Sequence, residues 1–92
     1  MATINCVTGV VTGTLRENAS FDWINPNTSG GNCLVSDVGG WCTASSYSVP
    51  QASSPTSPGS ISATTKDLTG TFSFTCPCLN SPSTPRITIG SK

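Results

Sequence analysis

Gly70-Thr71-Phe72-Ser73-Phe74-Thr75-Cys76-Pro77-Cys78 is the stretch whose periodicity settles the class of fold. In an extended chain Phe72, Phe74, Cys76 and Cys78 share one side and Thr71, Ser73 and Thr75 the other, because strand side chains alternate with a period of two. Rings and sulfur on one face and hydroxyls on the opposite face describe a half-buried strand. Gly70 punctuates its start. Pro77 has no N–H to donate, so regular pairing is expected to end near residue 76. After a turn rich in Ser and Pro over 80–85, Arg86-Ile87-Thr88-Ile89 alternates again with both isoleucines on one side, and the two segments are expected to form an antiparallel hairpin.

The rest of the chain repeats this character. Residues 3–14 are rich in β-branched side chains broken by Gly9 and Gly13, and residues 15–24 carry the alternating pair Phe21 and Trp23, which gives two strands. Asn25-Pro26-Asn27-Thr28-Ser29-Gly30-Gly31-Asn32 is turn chemistry at nearly every position. A strand from Cys33 to about Val38 follows, and Trp41-Cys42-Thr43 after two glycines reads as a short edge strand. Residues 45–60 are dominated by Ser and Pro and are expected to be a flexible surface loop with Tyr47 as its one aromatic ring, before Ile61-Ser62-Ala63-Thr64-Thr65 alternates once more. No window of helical length places apolar residues at i, i+3, i+4 and i+7 without Gly or Pro. The expectation is one all-β domain over residues 1–92: an antiparallel sandwich of about seven short strands.

Composition narrows the function. Charged residues make up 9% of the chain against roughly a quarter in ordinary globular proteins, so the surface is mostly Ser, Thr, Asn and Gly. Arg16, Lys66, Arg86 and Lys92 are scattered and balanced by Glu17, Asp22, Asp37 and Asp67, which argues against nucleic acid or an anionic membrane as partner. No apolar run approaches the roughly 18 residues of a membrane span, and the first residues lack the basic and apolar regions of a signal peptide. Two origins fit: a mature secreted fragment with a Met-Ala start, or a protein assembled into a particle such as a virion.

Five cysteines and no histidine in so short a chain point to an oxidising, extracellular setting and to disulfides before a metal site. The thiolate set Cys33, Cys42, Cys76 and Cys78 lacks the spacing of zinc knuckles, so no metal or other cofactor is expected. Nucleophilic catalysis needs a positioned base, and paired carboxylates need a cleft that so small a sandwich cannot spare. The chain reads as a non-enzyme. Asn18-Ala19-Ser20 and Asn27-Thr28-Ser29 match the N-glycosylation pattern, which chance explains in a chain of this composition.

Phe21-Asp22-Trp23-Ile24-Asn25-Pro26-Asn27, Asn32-Cys33-Leu34-Val35-Ser36, Gly40-Trp41 and Gly70-Thr71-Phe72-Ser73-Phe74-Thr75-Cys76 together resemble a bacterial and phage type of immunoglobulin-like domain over roughly residues 15–90. In that family a strand ending in Trp leads through an Asn-rich loop to a Cys, and a Gly-Thr-aromatic-x-aromatic-x-Cys strand supplies its mate. The resemblance implies an immunoglobulin-like sandwich stabilised by a Cys33–Cys76 disulfide. The family pattern does not contain Cys6, Cys42 and Cys78. A second bridge between Cys6 and Cys78 suits the implied topology, since the first strand would begin at the pole where the strand of Cys76 ends, and Cys42 is left as a buried thiol or as a bridge to another chain. The strand ending at Cys76 also resembles the one that leads to the copper-binding cysteine of cupredoxins, but such sites need histidines, which are absent.

These observations lead to a structural or interaction module whose partners are proteins, copies of itself or a particle surface: a virion decoration protein or a component of an extracellular filament. The alternative is a carbohydrate-binding or adhesive module of a larger secreted protein, with Trp41 and Tyr47 as the candidate glycan-stacking residues, although core or hairpin packing is the favoured reading of Trp41.

Overall fold

Asn5 shapes the first turn. Its Oδ1 accepts hydrogen bonds from the backbone N–H of Val7 at 2.9 Å and of Thr8 at 3.0 Å, and Gly9 supplies a left-handed residue at φ 77°. In a computed structural model that describes residues 2–80 and 84–92, this turn joins strand β1 (Ala2–Asn5) to β2 (Val11–Thr12). The strands that follow are β3 (Ser20–Asn25), β4 (Cys33–Val35), β5 (Tyr47–Val49), β6 (Gly59–Thr64), β7 (Gly70–Phe72) and β8 (Ile87–Ile89). The protein is all-β across the described residues, and among them no helix is long and apolar enough to cross a membrane.

One layer is a four-stranded sheet in the order β2-β1-β3-β6. The other is made of two antiparallel ladders, β4–β5 and β7–β8, which a single bridge between Ser36 and Thr75 stitches together. Between them lies the core. Phe21 and Trp23 point inward from β3, Val35 from β4, Tyr47 and Val49 from β5, and Ile87 and Ile89 from β8. Trp23 stands at the centre, edge-on to Phe21 at 5.4 Å and to Phe74 at 4.8 Å, and tilted against Trp41 and Tyr47 at about 6 Å. Each large buried side chain contributes about 1.5–3 kcal/mol, so this cluster is the main apolar support of a 92-residue chain.

The hairpin read from the sequence is present. β7 pairs antiparallel with β8, setting Gly70 opposite Ile89 and Phe72 opposite Ile87. The alternation along 71–76 also survives as burial, with Phe74 and Cys76 buried and Thr71, Ser73 and Thr75 exposed. Part of the 80–85 turn lies outside the described residues.

Four expectations are corrected. The 3–14 segment is two strands, because the Asn5 turn breaks it. Pairing is not antiparallel throughout: β1 runs parallel to β3, with Ile4 opposite Trp23, because the chain folds back through β2 and recrosses before β3 begins. Residues 41–43 form a turn instead of an edge strand, since the N–H groups of Trp41 and Cys42 both donate to Val38 O and one bridge, Cys42 to Thr65, is all the pairing they make. The 45–60 stretch is not merely a loop. It contains β5, pairing Tyr47 with Val35 and Val49 with Cys33, and Tyr47, Val49 and Ala52 are buried. Its Tyr-Ser-Val alternation is too short to stand out among the Ser and Pro residues around it.

Candidate functional site

Four of the five cysteines meet at one pole. The Asn5 turn sets Cys6 directly after β1, where its N–H donates to Ile24 O at 3.0 Å and its side chain is wholly buried. Cys33 opens β4 opposite Val49. Cys76 and Cys78 arrive on the continuation of β7, held by reciprocal backbone bonds between Ser36 and Thr75 at 2.8 and 3.0 Å and by a 2.8 Å bond from Thr75 Oγ1 to Asp37 Oδ2. Asn80 N donates to Val7 O at 2.9 Å and closes this segment onto the N-terminal turn.

The disulfide joins Cys33 to Cys78, with Cα atoms 5.9 Å apart. This corrects both bridges expected from the sequence, Cys33 with Cys76 and Cys6 with Cys78. The reason is the turn that follows the Ser36–Thr75 bridge: pairing stops there, Leu79 N donates to Cys76 O at 3.1 Å, and the turn through Pro77 and Cys78 brings Cys78, not Cys76, into bonding distance of Cys33. Cys6 and Cys76 remain as thiols, and the Sγ atoms of Cys6, Cys33 and Cys76 all lie within 4.8 Å of one another. The fold thus gathers a different sulfur set from the one weighed for zinc, with Cys6 in place of Cys42. The Cys6 thiol is pushed up to about 12, first by burial and then by neighbouring Cys76, so it is protonated at neutral pH. A disulfide beside two further cysteine thiols has the components for thiol–disulfide chemistry.

Cys42 stands apart as a fully buried thiol, also raised to about 12 by its desolvation, against smaller opposing effects of the Tyr47 hydroxyl and Lys66. As candidate stacking residues Trp41 and Tyr47 are both corrected, being only 2% and 8% exposed, which for Trp41 is the core packing favoured from the sequence. Trp41 packs on Phe21 at 6.0 Å and Phe72 at 6.3 Å and donates its Nε1–H to Ser73 O at 3.0 Å, so no ring face is free for a sugar.

The four carboxylates are each engaged at the surface. Asp22 accepts from Ser62 Oγ, Asp37 from Thr75 Oγ1, Asp67 from Asn18 Nδ2 and Glu17 from Lys92 N. Two depressions are bordered by Arg86, one beside Phe72 and one between Val11 and Thr88, and neither has a carboxylate or thiol among its lining residues.

Register was the information missing from the sequence. The cysteine pairing follows from where Ser36 meets Thr75 and from the turn at Pro77 and Cys78 just beyond, and no local pattern specifies their combination. Comparison of the chain with models of protein families, with characterised proteins and with solved structures found no match.

Proposed function

We propose that the protein is a non-enzymatic structural module, an assembly subunit of the kind that decorates a virion or builds an extracellular filament, with an immunoglobulin-like sandwich as its body. The observation that carries this reading is the outward face of the four-stranded sheet. Its rungs set Thr12 beside Thr3, Thr3 beside Asp22, Asp22 beside Ser62, Ser20 beside Thr64 and Ile24 beside Ser60. The result is a strip of hydroxyls across four strands, interrupted by Ile24 and by a single carboxylate that is itself bonded to Ser62. Another protein surface can cover such a face without stranding charges away from water, and interface cores are depleted in charge for that reason.

The immunoglobulin-like reading is supported by β3 with β6 in one layer and β4, β7 and β8 in the other, the partition of that architecture. The β1–β2 hairpin, with β1 parallel to β3, departs from it. An extracellular setting is supported by the Cys33–Cys78 bridge, since structural disulfides persist where the surroundings are oxidising. The carbohydrate-binding alternative loses its stacking residues to the core.

Light scattering across a concentration series tests the assembly reading. Multimers that persist under reductant, and that disperse when a charge is placed in the strip, are the expected result. A protein that stays monomeric at every concentration would sink it.

A further inference from the structure

We infer that Cys6 and Cys76 are the two halves of a second disulfide, which closes beside Cys33–Cys78 to make a two-bridge sulfur cluster at this pole. The inference concerns the chain's own chemistry and stands apart from the assembly reading. Cys6 and Cys76 are the two thiols of the cluster left over when Cys33 bonds Cys78, and their sulfurs lie within 4.8 Å of each other and of Cys33. They come from opposite ends of the chain. The Asn5 turn and the Asn80-to-Val7 bond already hold their backbones together, so the bond can form without the fold opening.

The reaction balances with a small-molecule disulfide as oxidant. Cys76, 6% exposed where Cys6 is wholly buried, is the point of entry. Its sulfur loses a proton, attacks one sulfur of the oxidant, expels one thiolate and is left in a mixed disulfide. Cys6 then gives up its proton and attacks the Cys76 sulfur, expelling the second thiolate. The oxidant ends as two thiols carrying the two protons, and the protein gains one S–S bond. A metal held by these sulfurs would need all of them as thiolates, including the two joined as Cys33–Cys78.

The test uses the full chain refolded in a mixture of reduced and oxidised glutathione, quenched in acid, denatured without reductant and alkylated. One alkylated cysteine, Cys42, is the expected result. Three alkylated cysteines, or a metal-loaded chain with all five alkylated, would overturn the inference. The Cys76→Ser variant treated in the same way resolves the pairing by peptide mass: label on Cys6 and Cys42 supports Cys6–Cys76, whereas label on Cys33 shows that Cys76 had been bonded to Cys33 and overturns it.

Discussion

Thr65 shows how much one hydroxyl can hold together here. It is buried, its Oγ1 donates to Arg16 O at 2.6 Å and accepts from Ala19 N at 3.0 Å, and its own N–H reaches Ala19 O. The segment before β3 is thereby tied to the end of β6. Thr65→Val keeps the shape and leaves the Ala19 N–H and the Arg16 carbonyl without that partner, so a loss of about 1–3 kcal/mol in urea unfolding is expected. Cys42 gives a prediction in pH. A thiol of ordinary value 9.0 that is raised to about 12 in the fold is protonated in both states below pH 9. Above that the unfolded chain releases the proton while the folded chain keeps it, so the unfolded state binds fewer protons and stability falls as pH rises toward 12. Cys42→Ala should flatten part of that decline in unfolding curves measured between pH 8 and 11. An unchanged slope would mean that the buried thiol does not contribute to it.

Among the elements, β6 is the most constrained at its first residue. Gly59 lies opposite Asn25 in β3, and a Cβ there would run into the backbone carbonyl of Pro50, which has no room to yield. Gly59→Ala is expected to cost about 1–3 kcal/mol by overpacking and to disturb the passage from β5 to β6, seen as a lowered urea midpoint. Asn25 adds to the constraint: fully buried, it accepts from Asn27 N at 3.0 Å and bonds Val49 O at 3.4 Å, so it links β3 to β5 while starting the loop that leads to β4. The Asn-Pro-Asn run is legible as a turn, but its role as a link between layers is not, because the partner Val49 lies in a strand hidden within a Ser-rich stretch. The β7–β8 hairpin is legible because both strands alternate cleanly and lie close together in sequence. β5 and the parallel β1–β3 pairing are hidden because their partners are distant and their own patterns are short.

For the whole molecule, the layers are unequal in what they show to solvent. The four-stranded sheet turns hydroxyls outward, whereas the second layer exposes Leu34 at 51% on β4, and Val10 beside β2 is 59% exposed. If the hydroxyl strip is the contact face, Ser62→Lys should disperse multimers without changing the circular dichroism or unfolding midpoint, since Ser62 is exposed and its loss removes only a 3.3 Å bond to Asp22. Leu34→Lys serves as the control on the other layer and should leave assembly intact. The opposite pattern would move the interface to the β4–β5 ladder.

Alternation of apolar and polar residues, a near absence of charge and the scatter of Gly and Pro are local properties. By themselves they determined an all-β chain with Phe21, Trp23, Phe74, Ile87 and Ile89 facing inward, and a disulfide-forming stock of cysteines. The tertiary structure alone decided which sulfurs meet, that Tyr47 is core and not surface, and that β1 lies parallel to β3. Those outcomes depend on the register between segments tens of residues apart, which is set by the packing of all the side chains together and is written in no single stretch of the chain.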